Sequence, residues 1–125
     1  MGRLILFAGL LALALAAPAA FADTRSVPGE LVLVPLDVAV VTTGGVAVTA
    51  LAVGHRTAGG YIQNPVGAAA PLCINELGTA SGTTSAGSVV CIAPGATFTI
   101  TPSPRPLSVV SSDSNHAFAG AGWTE

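Results

Sequence analysis

The segment ATFTIT (residues 96–101) alternates strictly between apolar and hydroxyl side chains. In an extended chain, Phe98 and Ile100 fall on one face and the threonines fall on the other. This period of two is typical of a β-strand with one buried face. The turn signal APG (93–95) precedes the segment. The PSPRP segment (102–106) follows it, and its three prolines, which cannot donate ladder hydrogen bonds, predict a corner or edge connection.

Short strands are predicted on both sides of this segment. Gly44-Gly45 lies between two of them and predicts a two-residue hairpin. No window after residue 22 shows a helical period flanked by caps. About eight short antiparallel strands indicate an all-β fold, a small β-sandwich (Ig-like or jelly-roll-like) or a small barrel. The other predicted strands are LVLVP (31–35), DVAVVTT (37–43), VAVTALAV (46–53), YIQN (61–64), PLCIN (71–75), SVVCI (88–92), LSVVS (107–111) and HAFAGAGW (116–123).

The apolar residues of these strands predict the core. We expect the buried face to consist of Val38, Val40, Val46, Val48, Ile62, Leu72, Ile74, Val89, Phe98, Ile100, Leu107, Val109 and Phe118.

The first residues have the order of a secretory signal peptide. Arg3 supplies the positive start, residues 4–17 are uninterruptedly apolar, and Pro18 ends a helix. The segment AFA (20–22) then places small residues before a cut at Asp23. The alternative is an uncleaved apolar helix over 4–22, just long enough to anchor the chain in a membrane.

This order predicts three parts of the chain. Residues 1–22 are the signal peptide or anchor, residues 23–30 a polar lead-in, and residues 31–125 a β-sandwich domain. The predicted location is therefore outside the cytoplasm, in the periplasm or the extracellular medium. A membrane contact is predicted only if residues 4–22 are retained.

The two cysteines of the chain, Cys73 and Cys91, both follow the leader. An even count in an exported chain favours a disulfide, which would stabilise the fold by about 3 kcal/mol. Two buried free thiols are the alternative. Two cysteines without a nearby histidine do not form a zinc site, and a C-x-x-C redox motif is absent.

Charge is scarce and acidic. Charged residues make up 8 % of the chain, the net charge is −2, and there is no lysine. Nucleic-acid binding needs a basic face, so a nucleic-acid partner is excluded. Such a surface suits burial in an assembly of protein copies, although a genome rich in Ala, Gly and Val codons produces the same composition.

No catalytic or metal-binding motif is visible, and no cofactor is predicted. His55 and His116 are the only histidines, and we expect both to be solvated turn residues. There is no G-x-S-x-G or S-x-x-K motif. We therefore expect no enzyme.

Two aromatic residues are the candidate contact residues. Trp123, paired with Gly120 and Gly122, packs over bare backbone or anchors a partner, and Tyr61 begins a predicted strand. Tryptophan is enriched in interface hot spots.

Five stretches of the chain together resemble a known group of proteins. They are GGYIQNP (59–65), APLCIN (70–75), APGATFTITP (93–102), PLSVVSSDSNHAF (106–118) and the terminal Trp123. This order resembles the small β-domain structural proteins of tailed phages and prophages, over about residues 59–123. The resemblance implies a non-enzymatic β-sandwich that decorates or projects from a virion head or fibre.

The chain departs from that group at two points. Cys73 stands where the group usually has an aromatic residue, and with Cys91 it implies a disulfide in place of a packing contact. The leader is the second departure, because virion proteins assembled in the cytoplasm need none. We therefore expect a structural domain working in many copies, through strand edges and the 76–87 loop, on a virion-like surface. An exported binding domain with a ligand pocket is the alternative.

Overall fold

The computed structural model describes residues 30–82 and 88–125. The described chain is all-β, with antiparallel pairing throughout and no helix. None of its elements is therefore a helix able to cross a membrane. The predicted leader 1–22 and, apart from Glu30, the lead-in 23–30 lie outside the described residues. The ten strands are β1 (Val32–Pro35), β2 (Val40–Val41), β3 (Val48–Leu51), β4 (Gly59–Gln63), β5 (Leu72–Asn75), β6 (Val89–Ile92), β7 (Thr97–Ile100), β8 (Leu107–Ser111), β9 (His116–Ala117) and β10 (Ala119–Thr124).

The strands form two four-stranded sheets and a two-stranded ribbon. The first sheet has the order β1-β10-β4-β7, and the second has the order β3-β8-β5-β6. β2 and β9 make the ribbon. Strands adjacent in sequence are mostly not adjacent in a sheet, so the connections repeatedly cross from one sheet to the other.

One buried cluster takes residues from both sheets and from the ribbon. Ile62 and Ile100 of the first sheet, Leu72 and Leu107 of the second, and Val41 of the ribbon are all at most 2 % exposed. Each such side chain stabilises the fold by about 1.5–3 kcal/mol relative to exposure. The core prediction is confirmed for these members: Ile62, Leu72, Ile74, Val89, Ile100, Leu107, Val109 and Phe118, with Val48 and Phe98 partly buried against them.

The prediction of a buried core position is wrong for three residues. Val38, Val40 and Val46 are exposed, and Val41 is buried instead. Side chains alternate between the two faces of a strand, so a shift of one residue exchanges inside and outside. In a run of consecutive valines the sequence does not show which parity faces the core.

The predicted hairpin around Gly44-Gly45 is also wrong. The turn exists, since Val46 N–H donates to the Thr43 carbonyl and Gly45 has a φ of 80°. However, β2 pairs with β9 and β3 pairs with β8. The turn is therefore a crossing between the ribbon and the second sheet.

The predicted last strand, 116–123, divides in two. β9 joins the ribbon, β10 joins the first sheet, and the buried Phe118 lies between them. Phe118 N–H donates to the Ala39 carbonyl at 2.9 Å. Residues 102–106 are a connection without strand structure, as predicted, and lead from β7 in the first sheet to β8 in the second.

The disulfide between Cys73 and Cys91 is confirmed. The two residues lie directly opposite each other in the β5–β6 pair. The bond therefore closes the segment that carries the predicted 76–87 loop, of which residues 76–82 are described.

Candidate functional site

The two candidate contact residues lie together on the outward side of the first sheet. Trp123 of β10 is opposite Leu33 of β1, and Tyr61 of β4 is opposite Ala121 of β10. The rings of Tyr61 and Trp123 are 6.4 Å apart between centroids and tilted by 47°. Ala121 is opposite Tyr61 and two residues before Trp123 in β10, so it lies on the same side of the sheet, where it is 4 % exposed. We call Leu33, Tyr61 and Trp123 the apolar outer face.

The inward side of β10 explains the glycine beside Trp123. A side chain at Gly122 would collide with the carbonyl oxygen of His55. The 52–58 turn thus packs directly on the backbone of β10, while the indole of Trp123 lies on the opposite face. The backbone of Gly122 is thus contacted by the 52–58 turn, which is a different contact from the one predicted for Trp123.

Among the strands of residues 30–82 and 88–125, β1 is an edge strand, and it extends the apolar outer face to the border of the sheet. Leu33 is 65 % exposed, and Leu31 and Val32 are more than half exposed. No charged residue occurs between Glu30 and Asp37. Exposed apolar edge strands are sites where another chain can pair. The sequence had marked the two aromatic residues but not Leu33.

Beneath the surface, Arg56 organises a junction of loops. Its side chain is completely buried. Its guanidinium donates to the carbonyls of Arg105, Thr101 and Glu76 at 2.8 Å each and to that of Pro106 at 3.3 Å. It also pairs with the Glu76 carboxylate at 3.2 Å. We call these five residues the Arg56 junction.

The charge of Arg56 is paired with that of Glu76 within this junction. Burial lowers the pKa of Arg56, and the carboxylate of Glu76 opposes that shift; a guanidinium stays protonated in proteins. Glu76 Oε1 also accepts the Thr101 N–H at 2.7 Å, and Oε2 accepts the Thr101 hydroxyl. The junction joins the 52–58 turn, the end of β5 and the 101–106 connection. The isolated arginine of a charge-poor chain was its only signal in the sequence.

The prediction of a solvated His116 is wrong. His116 is 6 % exposed, Asn64 and Ser111 are at most 1 % exposed, and the three form a hydrogen-bonded chain. Asn64 Nδ2 donates to the carbonyls of Ala70 and Ile92, so its Oδ1 accepts from His116 Nε2 at 2.8 Å. We call Asn64, Ser111 and His116 the Asn64 cluster.

This bonding assigns the histidine tautomer. With the proton on Nε2, His116 Nδ1 accepts the Ser111 hydroxyl at 2.9 Å. Ser111 Oγ in turn lies 3.3 Å from the Asp113 N–H. A cavity of about 310 Å³ borders His116. Both ring nitrogens are engaged inside the protein, so neither is available to a molecule in that cavity.

His55 lies nearer the surface, as predicted. Its Nδ1 is 2.8 Å from Asp37 Oδ2, and both side chains are slightly more than a third exposed. Asp37 Oδ2 also accepts the Ala52 N–H at 2.7 Å. That backbone bond, more than the histidine, lowers the pKa of Asp37. The pair holds the segment after β1 against the turn after β3.

A groove opens on the second sheet. Its volume is about 510 Å³, and it lies between β3, β8 and the start of the 76–87 loop. Most of its lining is apolar, with one carboxylate and one guanidinium at its side. The residues that define it are Val48, Glu76, Leu77, Arg105, Pro106 and Leu107.

Within residues 30–82 and 88–125, no three histidine, cysteine or acidic side chains are close enough to hold a metal ion. Comparisons of the chain with protein families, curated proteins and solved structures find no match. The apolar outer face, the two buried polar groups and the groove are therefore the features from which a function is argued.

Proposed function

We propose that this protein is a non-enzymatic structural domain that works in several copies within a surface assembly, virion-like in organisation. The observation that carries the proposal is the apolar outer face at an open sheet edge. Leu33, Tyr61 and Trp123 share one surface, and Leu33 is 65 % exposed. Exposed aromatic and leucine side chains at one site are typical of contacts between proteins.

The proposed architecture is a small β-sandwich of the Ig-like or jelly-roll-like kind. One buried cluster drawn from both four-stranded sheets supports it, because facing sheets share their inner side chains. A disulfide and a core common to both sheets suit a domain that must persist outside the cell.

The internal use of the polar groups supports a structural role. Arg56 is completely buried with its donors bound to carbonyls and to Glu76. His116 is bound at both nitrogens. Catalysis needs a nucleophile or base that reaches a substrate, whereas these groups hold loops together.

The proposed location is the periplasm, the extracellular medium or a virion surface. The disulfide is compatible with such an oxidising compartment. The order of charge, apolar segment and small residues in 1–22 supplies the export signal for this proposal.

The test is self-association of the full chain, expressed with its own leader in a bacterial host. We expect the mass measured by light scattering after size exclusion to rise from the micromolar to the millimolar range. Trp123→Ser is expected to weaken self-association by about tenfold or more, as truncating an aromatic hot spot does. Val66→Ser removes an apolar side chain that is 81 % exposed and lies outside this face, and it serves as the control. A protein that remains monomeric throughout this range contradicts the proposal.

A second candidate is an exported binding domain, favoured by the groove on the second sheet. Its volume of about 510 Å³ is typical of small-molecule sites. Arg105 and Glu76 at its side would orient a polar group of a largely apolar ligand. This candidate predicts a monomer, and a ligand whose binding is lost in Leu77→Asp but retained in Trp123→Ser.

A further inference from the structure

We propose that the open edge of β1 pairs in antiparallel fashion with β1 of a second copy, with Leu33 opposite Leu33. This inference rests on the proposed multi-copy function and names the surface and register through which two copies meet. It follows from the direction of the backbone groups of β1, from their spacing, and from the self-complementary side chains beside them.

The backbone of Leu33 points to the open edge. The Trp123 carbonyl accepts the Ala58 N–H at 2.7 Å, on the β4 side of β10. Trp123 therefore turns its backbone groups away from β1, and its partner Leu33 belongs to a non-hydrogen-bonded pair. The N–H and C=O of Leu33 then point away from β10. Pro35 has the same orientation, so its missing N–H removes no bond to β10.

The spacing of these outward groups selects one register. When Leu33 faces Leu33 of the second copy, the two residues exchange two N–H···O bonds. Leu31 of each copy then faces Pro35 of the other copy, and its N–H can donate to the carbonyl of that Pro35. This register overlaps the whole of 31–35, and the only bonds it lacks are those that proline cannot donate. The pairing is the same from either copy, as a two-fold contact requires.

The side chains are self-complementary in the same register. Leu33 lies on the face that carries Tyr61 and Trp123. Pairing the two edges therefore joins the apolar outer faces of both copies into one surface across the two leucines. A second copy matches this edge in backbone, side-chain polarity and symmetry at once.

The charges nearest the edge lie at the ends of the paired segment. The two Glu30 residues are about 20 Å apart at about 3.4 Å per residue, which exceeds the screening length in physiological salt. Glu30 faces Leu36 of the second copy and therefore lies one residue from Asp37 of that copy, so these two carboxylates repel each other. The Asp37 carboxylate is bound within its own copy to the Ala52 N–H and to His55.

The other sheet edges are less suited to pairing. β3 has an irregular register between Thr49 and Leu51. β7 leads into the proline-rich 102–106 segment. On β6, Val90 is the one strongly exposed large apolar residue. Irregularity and proline are devices that block edge pairing. β1 also contains a proline, Pro35, but it is the last residue of the strand, and the register of β1 with β10 is regular over all four residues.

The contact is small, which determines how it must be measured. A ladder over 31–35 is far shorter than the roughly 20–30 residues per side of a standard interface. An isolated pair is therefore short-lived, and the pairing becomes stable at the high local concentration of an assembly. Covalent trapping captures such a pair.

The experiment compares Leu33→Cys with Leu31→Cys in the full chain under mild oxidation. In the proposed register the two sulfurs introduced at position 33 join easily, because residues of a hydrogen-bonded pair have Cα atoms about 5.5 Å apart. The two residues at position 31 are separated by roughly 14 Å. We expect Leu33→Cys to become mostly disulfide-linked dimer on a non-reducing gel and Leu31→Cys to remain monomeric. Both leucines are more than half exposed, so both variants retain the core.

Four outcomes overturn the inference. Equal cross-linking of both variants shows random collision, and preferential cross-linking of Leu31→Cys shows another register. Self-association of the unaltered chain without cross-linking of Leu33→Cys shows assembly through another surface, which leaves the proposed function standing. A strictly monomeric chain whose Leu33→Cys variant also stays monomeric removes both proposals.

Discussion

Apolar side chains are usually buried and charged ones exposed, and two regions of this protein show the reverse. The open edge at β1 exposes apolar residues, and the Arg56 junction buries a charge. At the edge, Leu33 is 65 % exposed, whereas at the junction Arg56 is completely buried. The junction contains a charge because four carbonyl oxygens from residue 76 and the 101–106 connection converge there, and a guanidinium has five donors. The edge combines apolar side chains with backbone groups that face outward. Arg56 and Glu76 thus hold loops together in the interior, and the border is left free to pair.

Arg56→Met is expected to have the largest effect on stability, because it removes the guanidinium of the Arg56 junction. The change removes the counter-charge of the Glu76 carboxylate and the guanidinium donors to four carbonyls, so we expect a loss of about 3–5 kcal/mol in the free energy of unfolding. Urea denaturation followed by tryptophan fluorescence measures it. Arg105→Met, on the exposed side of the same junction, is the control and should cost only about 0.5 kcal/mol or less. An equal loss of unfolding free energy in both variants would contradict the expectation that the buried arginine contributes more to stability than the exposed one.

A smaller effect is expected from the two histidines, which differ in burial. His116→Ala leaves Asn64 Oδ1 without the His116 donor and the Ser111 O–H without its acceptor, at about 1–3 kcal/mol for each group. His55→Ala removes an exposed contact with Asp37 and should cost less than about 1 kcal/mol. Thermal unfolding of both variants under the same conditions makes the comparison. A larger loss of stability in His55→Ala than in His116→Ala would contradict the prediction that the Asn64 cluster contributes more to stability than the Asp37–His55 contact.

The smallest effect concerns pH at Asp37. Its pKa is lowered in the folded protein, chiefly by the Ala52 N–H and secondarily by His55. The ionised form is therefore the stabilising one: its contribution is complete above the ordinary carboxyl pKa of 3.8 and disappears as the pH falls through the lowered value. Because the group is about a third exposed, we expect less than about 1 kcal/mol.

The measurement for Asp37 is the stability difference between the unaltered chain and Asp37→Asn across the acid range. The difference should be present at neutral pH and shrink toward zero on acidification. A difference that grows as the pH falls would contradict the direction of the shift.

Strand positions were readable because burial of one face imposes a period of two. The ATFTIT segment became β7 with Phe98 and Ile100 turned inward, and YIQN, PLCIN, SVVCI and LSVVS all contain observed strands. Pairing was not readable in the same way. The Gly44-Gly45 turn looks like a hairpin from the sequence, but which strand lies beside β2 depends on contacts more than 70 residues away, with β9.

The candidate site was predicted in part. Tyr61 and Trp123 were singled out as aromatic residues, and the fold places them 6.4 Å apart. Leu33 was not singled out, because an exposed and a buried leucine look alike in a strand without its neighbours. Arg56 and His116 are buried only because the 101–106 connection and the Asn64 region fold over them, which no local pattern encodes.

The sequence by itself predicted an all-β domain over residues 31–125 and most of its strand positions, and it favoured a disulfide between Cys73 and Cys91. Those properties follow from local alternation, turn residues and cysteine count. The tertiary structure alone decided which strands are neighbours, which edge stays open and which charges become internal. These depend on long-range pairing, in which the register of one strand sets the direction of every backbone and side-chain group on the next.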